Sequence, residues 1–124
     1  MDLGLEGATA VVVGGSRGMG LATARCLAED GARVAVVGRS ATAVADAAAD
    51  LTGRGGPDAL GLTADVCDPA AVRAVFGELA DRWDGGLNIL INAVGPASGG
   101  GSFETLVDED WRAAIDQGAM GMVH

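Results

Sequence analysis

A glycine-rich turn near the amino terminus constrains the fold of this chain more than any other feature. The β-branched residues 11–13 lead through Gly14, Gly18 and Gly20 into a segment with helical periodicity. Backbone N–H groups can wrap around a phosphate only where no Cβ atom intervenes, so glycine is required at the contacts. A helix beginning near Gly18 would direct its unpaired N–H groups and its positive dipole end at the anion. The turn therefore predicts a strand, a diphosphate-binding loop and a helix, with a dinucleotide as ligand.

Short apolar runs alternate with amphipathic segments along the rest of the chain. Strands are predicted over residues 8–13, 33–37, 59–63 and 87–91. Helices are predicted over 18–30, after Ser40, from Pro69 with Asp68 as its N-cap, and from about Asp108. This alternation predicts one α/β domain, with a parallel sheet of strand order 3-2-1-4 and a ligand crevice at the carboxyl ends of strands 1 and 4.

Two helix faces are predicted from apolar spacing. The first helix would bury Met19, Ala22, Cys26 and Leu27. The last would carry Trp111, Ala114, Ile115, Gly118 and Met122 along one side. A glycine-rich loop is predicted over residues 96–102, and a turn over 53–57.

The motifs together resemble the short-chain dehydrogenase/reductase family. The resemblance rests on Gly14-x3-Gly18-x-Gly20, Asp65-Val66, Asn92-x-x-Gly95 and Trp111, which follow one another in the family's order. It covers the whole chain and implies a Rossmann-like, doubly wound parallel sheet. It also implies hydride transfer between a nicotinamide cofactor and a carbonyl or alcohol substrate.

The resemblance implies which residues bind the cofactor. Asp65 and the backbone N–H of Val66 would bind the adenine edge, and the chain from Asn92 to Gly95 would pass beneath a ribose. The full predicted set is Gly14, Ser16, Arg17, Gly18, Met19, Gly20, Arg39, Ser40, Asp65, Val66, Asn92, Ala93 and Gly95. No metal ligand is predicted.

Two arginines favour NADP(H) over NAD(H). An NAD site places an acidic residue after the second strand, where it binds the ribose 2′-hydroxyl. Gly38 occupies that position here and Arg39 follows, while Arg17 lies within the glycine loop. Two cations near one strand end suit a 2′-phosphate. The alternative is that both arginines are ordinary solvated surface residues.

The catalytic half of the family pattern is missing. Family enzymes use a Tyr hydroxyl as proton donor, a Lys that lowers the pKa of that Tyr, a Ser, and an Asn on the helix after strand 4. The chain has no Tyr and no Lys, and Gly118 stands at the Asn position. We expect the chain to be the amino-terminal half of a longer enzyme, inactive alone. A non-catalytic NADP(H)-binding module, or a fragment completed by a partner chain, remains open.

The composition limits the kinds of partner that the chain is expected to bind. The net charge of −9 argues against nucleic acid, because phosphate binding needs an excess of Lys and Arg. No apolar run approaches the ~20 residues that span a bilayer, and residues 1–6 do not resemble a secretory signal. We expect a cytoplasmic protein that acts on a small molecule and, when full length, forms a homo-oligomer. Cys26 and Cys67 are expected to be buried or incidental thiols rather than ligands or a disulfide, and His124 is expected to have no special role.

Overall fold

A computed structural model describes residues 2–54, 57–95 and 102–124. Within these ranges the strands form one parallel sheet. The strands are β1 Thr9–Val13, β2 Arg33–Gly38, β3 Leu60–Thr63 and β4 Ile89–Asn92, in the order β3-β2-β1-β4. The predicted fold class and strand order are confirmed. All four carboxyl ends therefore lie along one edge of the sheet.

Helices cover both faces of the sheet. On one face α1 Gly18–Glu29 and α2 Ala41–Thr52 pack over β1 and β2, in a core that includes Val12, Val36 and Leu51. On the other face α3 Pro69–Arg82 packs with Val75 and Leu79 against the same two strands. The central strands are buried on both sides, which explains why they are nearly uninterrupted apolar runs.

The predicted start of α3 is confirmed. The carboxylate of Asp68 accepts a hydrogen bond of 3.0 Å from the backbone N–H of Ala70, and Pro69 is the first helical residue. An N-cap oxygen satisfies a donor that the helix cannot, and proline at this position loses no hydrogen bond.

The predicted apolar face of α1 is wrong. The sequence indicated Met19, Ala22, Cys26 and Leu27, but Met19 is 86% exposed and only Leu27 packs partly against the core. The helix instead buries Gly20, Ala24 and Ala28. Small residues face the sheet because the glycine turn brings the helix close to β1, which leaves no room for large side chains.

The last helical segment contains an irregularity that the sequence did not indicate. Helix α4 Asp108–Ile115 begins where predicted, and Asp110 accepts a hydrogen bond of 2.9 Å from the N–H of Val107. A π-helical turn, Asp116–Met120, then separates it from the short α5, Gly121–Val123. The prediction of a single side running from Trp111 to Met122 is corrected, because a π turn holds an extra residue and rotates the residues after it.

Strand β4 forms one edge of the described sheet. It begins at Ile89, two residues later than predicted, and pairs with β1 alone among the described strands. Leu90 lies in register with the buried Val11 and so points to the α3 face. Leu90 is nevertheless 56% exposed, so the helices of the described chain leave this part of the face uncovered.

Two predicted connections fall partly outside the described residues. These are the turn over 53–57, of which 55 and 56 are not described, and the loop over 96–102, of which only Ser102 is described. In the described ranges, no helix combines the length and apolarity needed to cross a bilayer.

Ion pairs join α1 to α2. Asp50 accepts hydrogen bonds from Arg25 at 2.8 Å and from Arg54 at 3.1 Å, and Arg54 also binds Glu29 at 2.8 Å. These bonds hold the pKa of Asp50 below its ordinary value. The two helices are thereby tied on their outer surface as well as through the core.

Gly61 of β3 allows α2 to approach the sheet. A Cβ atom at Gly61 would lie 2.5 Å from the carbonyl oxygen of Val44, whereas one at Gly77 of α3 would meet no atom within 4 Å. We predict that Gly61→Ala lowers the free energy of unfolding by about 1–3 kcal/mol. Gly77→Ala should leave it unchanged or raise it by up to about 1 kcal/mol. Urea unfolding measures both, and equal effects would contradict this explanation.

Candidate functional site

An open crevice of about 490 Å³ lies where the carboxyl ends of the strands meet. It gathers residues from the turns that follow the four strands and from the π turn. The predicted residues in its walls are Gly14, Ser16, Arg17, Gly18, Met19, Gly20, Arg39, Asp65, Val66, Ala93 and Gly95. Since the sheet is parallel and doubly wound, this edge is where ligands of such folds bind.

Two predicted residues lie outside the crevice wall. Ser40 instead caps α2, because its hydroxyl accepts a hydrogen bond of 3.2 Å from the N–H of Ala43. Asn92 accepts a hydrogen bond of 3.1 Å from the N–H of Val94 and lines a smaller apolar cavity beneath α3. Both side chains fix the backbone next to the crevice.

The crevice also contains residues that the sequence analysis missed. They are Val13, Val37, Gly38, Ala64, Val94 and Gln117. All but Gln117 adjoin predicted residues at strand ends, so extending each motif by one or two positions would have found them. Gln117 comes from the π turn, and neither its spacing nor its type gave a signal.

The three glycines of the turn differ in what a Cβ atom at each position would contact. A Cβ at Gly20 would collide with the carbonyl oxygen of Gly14, and a Cβ at Gly14 would lie 2.9 Å from the carbonyl carbon of Ala93. A Cβ at Gly18 would meet nothing within 4 Å. Gly14 and Gly20 are therefore required for contact between β1, α1 and the chain after β4, and both also line the crevice. Gly18, at φ +59°, faces open space.

The amino terminus of α1 opens into the crevice. Arg17 is its N-cap residue, in extended conformation, and its side chain makes no capping hydrogen bond within the described chain. The first N–H groups of a helix have no partner inside the helix, and the helix dipole places partial positive charge there. Because no atom lies near the missing Cβ of Gly18, an anion can approach these donors, and the residues present fit a diphosphate.

Two arginines add positive charge to the same crevice. Arg17 and Arg39 are exposed and line it, and in the described residues neither forms an ion pair. Arg25, Arg54, Arg82 and Arg112 all pair with carboxylates. In a chain of net charge −9, two uncompensated guanidinium groups at one edge make a local anion site.

The opposite wall is acidic and apolar. Asp65 follows β3 and accepts a hydrogen bond of 2.9 Å from the N–H of Cys67, which shapes the turn. Val66 beside it contacts the last helical segment, since a Cβ on Gly121 would lie 2.8 Å from Cγ2 of Val66. Among the described residues no three His, Cys, Asp or Glu side chains gather closely enough to hold a metal ion.

Gly118 lies within the π turn, and a Cβ there would meet nothing within 4 Å. The position therefore has room for a larger side chain. π turns inside helices occur frequently at functional sites. The turn coincides with the position at which the family pattern places an Asn.

The family model of the short chain dehydrogenases matches residues 8–124. The chain belongs to the short chain dehydrogenase family. Galactitol 2-dehydrogenase of Rhizobium johnstonii is 40% identical over 120 residues, which make up 95% of this chain and 45% of that protein. The resemblance stated from the motifs is thus confirmed.

Solved structures agree with this short chain dehydrogenase fold. L-Sorbose reductase from Gluconobacter frateurii, complexed with NADPH and L-sorbose, has a TM-score of 0.89 at 33% identity, covering 99% of this chain and 46% of that one. An NADH-dependent reductase complexed with NAD has a TM-score of 0.84 at 26% identity, covering 97% and 49%. The chain spans about half the length of these relatives.

A substitution at Gly20 tests whether its close approach to Gly14 stabilises the glycine loop of this short chain dehydrogenase. We predict that Gly20→Ala lowers the free energy of unfolding by about 1–3 kcal/mol, because the new methyl group forces α1 away from β1. Gly53→Ala is the control, since a Cβ there would make only ordinary contacts of 3.6 Å and more. Urea unfolding of both variants measures the difference. A Gly20→Ala variant as stable as the control would refute the proposed contact.

Proposed function

We propose that this chain binds the NADP(H) of an oxidoreductase that interconverts a carbonyl and an alcohol. The observation that carries the proposal is the crevice itself. Within the described residues it combines an uncapped helix amino terminus, an open glycine and two arginines without an ion pair, at the carboxyl edge of a parallel sheet. When bound, the cofactor supplies the hydride.

The diphosphate belongs at the start of α1. The N–H groups of its first turn donate to phosphate oxygens, and the absence of a Cβ on Gly18 lets the anion approach the backbone. Ser16 lines the crevice before this turn and its hydroxyl supplies one further donor. Met19 is 86% exposed at the mouth of the crevice, where a bound dinucleotide would cover it.

The 2′-phosphate belongs at the end of β2. A carboxylate there would repel a phosphate and bind a 2′-hydroxyl, but this chain has Gly38 followed by Arg39. Arg17 approaches the same crevice from the glycine turn. Relatives are described with NADPH and with NAD, so the preference is argued from the charges of this chain.

The adenosine half belongs between β3 and β4. Asp65 accepts from the amino group of the adenine and the N–H of Val66 donates to the ring. The chain from Ala93 to Gly95 runs beneath the ribose, and Gly95, with nothing within 4 Å of its missing Cβ, leaves space for it. Asn92 contributes by holding this turn through its bond to the N–H of Val94.

Proton transfer requires groups that this chain lacks. It contains no tyrosine and no lysine, and Gly118 carries no side chain where the family pattern has an Asn. Among the described strands β4 has an unpaired edge, and this edge and the exposed Leu90 need cover from another strand and helix. We infer that the chain is the cofactor-binding half of a longer domain. A non-catalytic NADP(H)-binding module is the alternative, favoured by the same missing side chains.

Cofactor preference tests the role of Arg39. We predict that Arg39→Ala weakens NADPH binding about tenfold, the value of one charge-assisted hydrogen bond at an exposed site, and changes NADH binding less than twofold. Arg73→Ala, an exposed arginine on α3, is the matched control and should change neither. Isothermal titration calorimetry of the wild-type chain and both variants measures the six affinities. If the Arg39→Ala variant keeps the wild-type preference for NADPH over NADH, Arg39 does not bind the 2′-phosphate.

Activity of the chain tests the missing catalytic half. The 124-residue chain, loaded with NADPH, should oxidise it with L-sorbose no faster than buffer does, because it has neither the Tyr nor the Lys that exchange the proton in the family pattern. The reverse reaction, NADP⁺ with galactitol, should be equally slow. Absorbance at the NADPH band follows both reactions, and calorimetry on the same sample verifies that cofactor is bound. Saturable turnover by the chain alone would contradict the inference.

A further inference from the structure

Gln117 is a polar side chain in the crevice that neither the glycine turn nor the strand-end motifs include. It is half-buried and lies on the π turn, next to Gly118. It is the only carboxamide among the described residues that line the crevice, since the amide of Asn92 lies in the smaller cavity.

The π turn is fixed to the end of β3, which determines what Gln117 can reach. Gly121 packs against the side chain of Val66, and Nδ1 of His124 lies 2.8 Å from the carbonyl oxygen of Val66. Gln117 stands one helical turn before Gly121. Both anchors therefore bring Gln117 to the wall formed by Asp65 and Val66.

Asp65 and Val66 can form hydrogen bonds to only part of an adenine ring. An ionised carboxylate such as Asp65 only accepts hydrogen bonds, and one of its oxygens already accepts from the N–H of Cys67. In the proposed function Asp65 and the N–H of Val66 bind one edge of the adenine, and the other edge again presents an amino donor beside a ring-nitrogen acceptor. A carboxamide carries both functions in one plane, which is why Asn and Gln pair with adenine in nucleic-acid recognition.

We propose that the carboxamide of Gln117 hydrogen-bonds the adenine ring of the cofactor and is a specificity-determining residue for the base. This inference rests on the proposed function, which puts the adenosine half between β3 and β4. The proposal also gives the π turn a role in binding. Its extra residue presents Gln117 to the crevice while Gly121 stays packed on Val66.

The test compares NADPH with deamino-NADPH, in which hypoxanthine replaces adenine. In the 124-residue chain, Gln117→Leu should weaken NADPH binding about fivefold, as the loss of one neutral hydrogen bond predicts. It should also reduce the preference for NADPH over deamino-NADPH at least threefold. Met120→Leu, exposed on the same turn and outside the crevice wall, is the control and should leave both affinities unchanged.

The outcomes separate this inference from the proposed function. If wild-type protein binds neither dinucleotide, the proposed function fails and the inference with it. If wild-type protein binds NADPH but Gln117→Leu keeps the wild-type preference between the two bases, Gln117 does not read adenine. An equal loss of both affinities indicates a packing role and overturns the inference too. Thermal unfolding verifies that each variant is folded.

Discussion

Everything at the crevice depends on how closely three stretches of backbone approach one another. Gly20 at the start of α1 lies against the carbonyl of Gly14, and Gly14 in turn lies against the backbone of Ala93 after β4. A methyl group at Gly20 would force α1 away from the end of β1, and one at Gly14 would force that end away from the chain after β4. Because the contacts are backbone to backbone, they position the open amino terminus of α1 without relying on flexible side chains.

Much of this architecture could be predicted from the sequence because it follows from local rules. Alternating apolar runs and helical segments determine a parallel sheet, and Asp68 with Pro69 marks the start of α3 by cap chemistry alone. The spaced glycines located the crevice. The order β3-β2-β1-β4 follows from the handedness of the crossovers together with the position of the glycine turn.

The errors arose where tertiary contacts override local pattern. Large apolar residues suggested the wrong face for α1, since the closeness of helix and sheet selects Ala24 and Ala28 instead. Gln117 was missed because its place in the crevice depends on a π turn, and that turn depends on a contact between Gly121 and Val66 that no spacing rule contains.

The π turn divides the last helical segment into two parts with different surroundings. Before it, Trp111 and Ile115 lie 48% and 55% exposed, and after it Gly121 is committed to Val66. In a regular helix any change of register on one side would be transmitted to the other. The π turn breaks that regular register with one extra residue, so Gly121 meets Val66 although Trp111 and Ile115 remain exposed.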